Sequence, residues 1–228
     1  MRKTIGGVIL LIIILAILLV ITGCGVNTMN KNMGKAEELK QVEVKEYQGE
    51  KLSSLNEFRE NSIAGPQYVN QENYRLKVFG LVQNPREYRY NDVINSFKNY
   101  QKMVTLDCVE GWSVKILWEG LLLKDLLAQA GLSPNAKVVI FHAYDDYTTS
   151  LPLDYILNND IILAYKMNGV TIPPERGFPF HVVAESKWGY KWAKWVTAIE
   201  LSDDVNYRGY WESKGYSNGA DLDKDFFE

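Results

Sequence analysis

Few residues in this chain are equipped for catalysis, and Cys108 stands out among them. It lies in Asp107-Cys108-Val109-Glu110-Gly111-Trp112-Ser113, where an apolar alternating run over residues 103–109 passes into a glycine-containing turn. Buried in a strand, a lone cysteine is a small hydrophobe. At a strand end its sulfur can instead face a cleft, where a thiolate is a ligand for a soft or high-valent metal or a nucleophile served by a histidine. The chain has only two histidines, His142 and His181, and one further cysteine, Cys24. Two cysteines exclude a disulfide-rich scaffold and a multi-cysteine zinc or iron–sulfur site. Any metal therefore rests on a single thiolate, or arrives with a cofactor that brings its own ligands.

Cys24 reads as part of an address. Arg2 and Lys3 precede an apolar run over residues 5–21, followed at once by Thr22-Gly23-Cys24. A positive start, an apolar stretch and small residues are the parts of an export signal, and the run is also long enough to cross a bilayer as an uncleaved anchor. Ile21-Thr22-Gly23-Cys24 resembles the lipobox of bacterial lipoproteins, which implies lipidation at Cys24 and a folded part held at the extracytoplasmic face of the cell membrane. Residues 1–23 are thus expected to be signal or anchor. Residues 24–51, poor in large apolar groups, are expected to be a flexible stalk.

The elements that must position Cys108 are mostly strands. The 228 residues are 46% hydrophobic and 23% charged, enough for one domain with a real core, and the net charge of −3 argues against a nucleic-acid partner. Alternation predicts strands over residues 74–82, 103–109, 137–143, 161–167, 178–184 and 192–201. Asn168-Gly169 predicts a hairpin turn into Val170-Thr171-Ile172. Asn91 is the expected N-cap of a short helix. Residues 121–130 place Leu122, Leu123, Leu126, Leu127 and Ala130 on one face of an amphipathic helix that ends at Gly131. The fold class is α+β, mixed and predominantly β, with the domain over residues 52–216 and an acidic tail over 217–228. Neither an internal repeat nor a glycine-rich phosphate loop is present.

The Cys108 segment, followed by Trp118-Glu119-Gly120 and the leucine-rich helix, resembles the cofactor-ligating stretch of the sulfite oxidase family of molybdenum enzymes, in its bacterial branch that includes the periplasmic methionine-sulfoxide reductase catalytic subunit. Three further blocks agree in order. These are residues 74–85, the loop Asp145-Asp146-Tyr147-Thr148-Thr149-Ser150-Leu151-Pro152-Leu153, and the stretch from Asn168-Gly169 through Arg176-Gly177-Phe178-Pro179-Phe180 to Lys187-Trp188-Gly189-Tyr190-Lys191-Trp192-Ala193-Lys194-Trp195. The likeness covers roughly residues 55–212.

The resemblance implies a sulfite-oxidase-type molybdopterin-binding domain and a molybdenum-molybdopterin cofactor ligated by Cys108. It implies oxygen-atom transfer to or from a small S- or N-oxide or sulfite. Cys108 and Tyr147 become the catalytic candidates. Asn61, Arg176, His181, Lys191, Trp192, Ala193 and Lys194 become the cofactor-binding ones, with Lys187 a further candidate for the cofactor's phosphate. Trp112, Tyr147, Trp188 and Tyr190 are candidate cleft residues. With no haem motif and no dimerising domain after Trp211, a monomer served by an external, quinol-linked electron partner is expected. A cofactor-free, tethered ligand-binding lipoprotein is the alternative. This chain departs from the family twice: His181 stands where an arginine is usual, and Met1-Arg2-Lys3-Thr4 lacks a twin-arginine signal.

Overall fold

The computed structural model describes residues 42–227. The expected anchor over residues 1–23, lipidation at Cys24 and the first part of the stalk lie outside the described residues. Among the described residues no helix is long and apolar enough to cross a membrane.

Two five-stranded sheets carry the fold. The first is built on a long hairpin, β5 (Tyr100–Cys108) and β6 (Trp112–Leu122). Its turn closes with Gly111 at φ +79° and Gly111 N–H donating to Cys108 O at 2.9 Å. Cys108 and Trp112 are the last pair of the ladder. β9 (Ile162–Met167) lies antiparallel to β6, and its other edge takes both β10 (Val170–Thr171) and β11 (His181–Val183). The predicted Asn168-Gly169 turn joins β9 to β10, with both residues at positive φ. The fully buried Asn168 side chain also accepts from Leu117 N–H at 3.0 Å and donates to Ser53 O at 2.9 Å. At Gly120 the β6–β9 register shifts, and a Cβ there would lie 2.1 Å from Leu163 O, so only glycine allows this approach.

The second sheet runs β4 (Arg86–Tyr88), β3 (Leu76–Gly80), β12 (Val196–Ser202), β7 (Val138–Ala143), β8 (Thr148–Pro152). β12 pairs in parallel with β3, which ties the two ends of the domain together. Three short helices attach: α1 (Tyr90–Ser96), α2 (Leu123–Ala130) and α3 (Leu153–Asn158). α2 buries Leu123, Leu126, Leu127 and Ala130 and ends at Gly131, φ +71°, as its pattern predicts. The core between these elements includes Trp118, Phe141, Phe180 and Trp195; burying each such side chain is worth about 1.5–3 kcal/mol.

Several expectations are corrected. α1 is capped by Arg89, whose N–H donates to Asp92 Oδ2 at 3.1 Å, and Asn91 lies one residue inside the helix. Leu121 and Leu122 belong to β6 rather than to α2, and residues 192–195 precede β12 as irregular chain, with Trp195 at φ +52°. Residues 42–51 are no free stalk. They form a hairpin, β1 (Glu46–Tyr47) with β2 (Glu50–Lys51), and belong to the compact unit beginning at Val42. The buried Glu43 carboxylate secures the hairpin to the segment after it, accepting from Ser54 Oγ at 2.7 Å and Leu55 N–H at 2.8 Å. Nor do residues 217–227 trail away. Trp188 N–H donates to Ala220 O, Leu222 N–H to Ser186 O, and Lys187 pairs with Asp221. Phe226 and Phe227 pack on Trp188 and Tyr216. Aromatic burial there outweighs the acidic composition.

Candidate active site

A cavity of about 150 Å³ opens where strand ends of both sheets meet. Cys108 comes to it from the end of β5, His181 from the start of β11, and Asp145 and Tyr147 from the turn between β7 and β8. Asn61 and Ser62 come from the irregular segment after the β1–β2 hairpin. That segment is held by side chains. Arg176 Nε donates to Leu55 O at 3.3 Å, and Lys194 Nζ donates to Asn61 O at 2.7 Å and meets Glu60 Oε1 at 3.2 Å.

Cys108 is the one thiol of the described residues, and only 9% of it is exposed. Burial pushes the thiol pKa up, against smaller lowering effects from the backbone at Glu110 and from Asn61. Asn61 Nδ2 points at Sγ from 3.8 Å. Gly189 packs against this strand end, where a Cβ would come within 3.2 Å of Asp107 O and 3.5 Å of Cys108 Cα.

His181 sits in an aromatic box, its ring 4.9 Å from Trp118, 6.1 Å from Phe58 and 6.3 Å from Trp192, centre to centre. Burial drives its pKa down to about 3, so the imidazole is neutral. Nδ1 lies 2.9 Å from Arg176 O and must carry the proton, because a carbonyl can only accept. Nε2 is left with a lone pair, buried and without a partner among the described residues. Ser62 Oγ is likewise buried and unpartnered. Two such atoms in the lining of one cavity are a demand for a polar ligand, since an unmet buried polar group costs about 1–3 kcal/mol.

The other sequence candidates divide. Asn61, Tyr147, Trp192 and Lys194 line the cavity with Cys108 and His181. Burial lowers the Lys194 pKa, and the Glu60 carboxylate opposes that. The buried Tyr147 hydroxyl donates to Tyr190 O, which makes it a brace for the wall. Trp192 Nε1 donates to Lys187 O at 2.9 Å. Ala193 is fully buried and does not line the cavity, its carbonyl accepting from Val182 N–H. Arg176 lies behind, its guanidinium 5.5 Å from the Phe58 ring centre. Lys191 and Lys187 are engaged elsewhere: Lys191 Nζ meets Glu212 Oε1 at 2.6 Å with both side chains fully buried, and Lys187 reaches Gly219 O and Asp221. Among the cleft candidates Trp112 and Tyr190 line the cavity, whereas Trp188 packs on Phe226. Sequence reasoning missed Arg59, Ser62, Trp211 and Tyr216, all in the lining. Of these Trp211 and Tyr216, in the aromatic-rich stretch over residues 207–216, left a readable signal.

No cluster of three or more metal-ligating side chains occurs among the described residues. The site fits a metal that brings ligands of its own: one thiol, cationic Lys194 and Arg59 for an anionic group, and two unmet polar atoms for a heterocycle.

Comparisons with known proteins agree with that chemistry. Residues 63–211 match the family described as oxidoreductase molybdopterin binding domain. The chain is 36% identical over 157 residues to the uncharacterized oxidoreductase YuiH of Bacillus subtilis (strain 168), covering 68% of this chain and 78% of that protein. It is 32% identical over 149 residues to YedZ1 of Azospira oryzae, which is named as a putative protein-methionine-sulfoxide reductase subunit; the match covers 65% of this chain and 56% of that one. The sulfane dehydrogenase SoxCD of Paracoccus pantotrophus shares the fold, with a TM-score of 0.60 at 23% identity over 64% of this chain and 42% of its own.

Proposed function

Because the chain belongs to the oxidoreductase molybdopterin binding domain family, and is a molybdenum-molybdopterin oxidoreductase, we propose that it moves an oxygen atom to or from a small neutral S- or N-oxide while tethered outside the cytoplasm. The observation that carries this reading is the Cys108 thiol, at a strand end inside a cavity whose lining holds two unmet polar atoms and whose rim is aromatic.

When bound, the molybdenum cofactor supplies a two-electron centre able to give up or accept one oxygen atom. The chain's residues do the rest. Cys108 Sγ is the protein ligand, backed by Asn61 Nδ2. Lys194 and Arg59 balance the cofactor's negative charge. Trp112, Trp211 and Tyr216 offer apolar faces to a substrate, and the nearby Glu110 and Asp145 carboxylates disfavour a dianion such as sulfite. Asp145 Oδ1 accepts Tyr147 N–H at 3.3 Å, which fixes this carboxylate in the cavity lining; burial pushes its pKa up and that hydrogen bond opposes the rise. A sulfoxide substrate agrees with the name of the Azospira relative. The apolar run over residues 5–21 and Cys24 support a lipid anchor at the extracytoplasmic face, with the protein working as a monomer and taking electrons from a quinol-linked partner.

The test is metal and pterin analysis of protein purified from its native membrane, followed by reduction of methyl sulfoxides and amine N-oxides with a viologen donor. Stoichiometric molybdenum and turnover of a neutral oxide are expected. Molybdenum-free protein, or turnover of sulfite alone, contradicts the proposal.

A further inference from the structure

We infer that His181 Nε2 is a hydrogen-bond acceptor for an N–H group of the bound pterin, so that this position selects a donor on the cofactor rather than an anion. The inference rests on the molybdopterin reading and specifies how this chain's own side chain meets the cofactor.

Three observations lead to it. The ring has one N–H to give, and Nδ1 gives it to Arg176 O at 2.9 Å. The other nitrogen is buried in the cavity lining and finds no partner among the described residues. The box of Phe58, Trp118 and Trp192 around the ring is apolar and excludes the second proton that would turn Nε2 into a donor. A phosphate or a dithiolene sulfur offers only acceptors, which would face a lone pair. The pterin's ring N–H and amino groups are the donors the cofactor carries. Lys194 lines the same cavity, and its Nζ is engaged by Asn61 O at 2.7 Å and Glu60 Oε1 at 3.2 Å, so the demand at Nε2 is met by the ligand. An arginine, usual here in the family resembled, would present donors and a permanent charge to those same pterin donors.

The decisive measurement is ¹⁵N NMR of the imidazoles in the wild-type protein, with and without cofactor; there are only two histidines to assign. An unprotonated Nε2 that shifts upfield on cofactor loading, with Nδ1 still protonated, is the expected result. Variants give a second readout, pterin retained through gel filtration. His181→Gln, which places an amide oxygen near Nε2, should retain pterin. His181→Phe and His181→Arg should lose it about tenfold faster, as expected when one buried donor is stranded. Protonation of both nitrogens in the loaded protein, an Nε2 resonance indifferent to loading, or full retention by His181→Arg overturns the inference while leaving the molybdenum reading intact. Wild-type protein without pterin overturns both.

Discussion

Replacing Lys191 by methionine removes one half of an ion pair with no access to water. Lys191 Nζ lies 2.6 Å from Glu212 Oε1, 3.0 Å from Ser150 O and 3.2 Å from Asn218 Oδ1, and Thr149 Oγ1 donates to the same Glu212 oxygen at 2.5 Å. Both charged side chains are fully buried. Lys191→Met leaves the Glu212 carboxylate without its counter-ion in a medium that hardly solvates it, a loss of about 3–5 kcal/mol. For a domain of this size that is a fall in Tm of about 6–20 °C. Glu212→Leu should cost as much by stranding the ammonium. The double variant should recover most of either loss, because two neutral side chains desolvate cheaply. Urea unfolding followed by tryptophan fluorescence measures all four corners of the cycle. A coupling energy of about 3 kcal/mol is expected. Losses that simply add would show that the two charges do not depend on one another, and the argument for a mutually compensated buried pair would be wrong. Function is touched too, because Glu212 holds the segment that brings Trp211 and Tyr216 to the cavity.

Three other outcomes are expected from the structure. The Lys187 and Lys224 ammonium groups hold the Asp221 pKa below its ordinary value, so the stability it lends is present above about pH 3.9 and is lost as pH falls through the lower folded value. Protection of the amides over residues 217–227, taken relative to the intrinsic exchange rate at each pH, should fall on acidification in the wild type, and Asp221→Asn should lower it already at neutral pH; protection unchanged in both would refute this. Gly120→Ala pushes a methyl into Leu163 O and should cost more than about 2 kcal/mol, read by the same urea titration. Cys108→Ala should cost only about 1–2 kcal/mol of stability while lowering oxide turnover by orders of magnitude; full turnover would exclude Cys108 from the site.

Where chemistry and periodicity were local, the sequence was readable. α2, β7, β9 and the Asn168-Gly169 turn all declare themselves within a few residues. So does Cys108, whose strand-end position is set by the alternating run and the glycine after it. What escaped depends on partners distant along the chain. Lys191 looked like a cofactor cation because its counter-ion lies 21 residues away, and Glu43 looked like part of a solvated stalk because its partners lie beyond the hairpin. The C-terminal segment hid behind its acidic residues, though its aromatics decide its packing. His181 was visible as a departure from the family, but its tautomer depends on Arg176 O, a backbone atom that no residue pattern reveals.

The central claim is that Cys108 Sγ is the protein's ligand to molybdenum, and X-ray absorption at the molybdenum edge tests it directly. Loaded wild-type protein and loaded Cys108→Ser are compared for their sulfur neighbours. The account predicts molybdenum in the wild type and one sulfur neighbour fewer in the variant, replaced by oxygen. An unchanged sulfur shell in Cys108→Ser, or wild-type protein loaded with pterin whose metal has no protein sulfur, would contradict it.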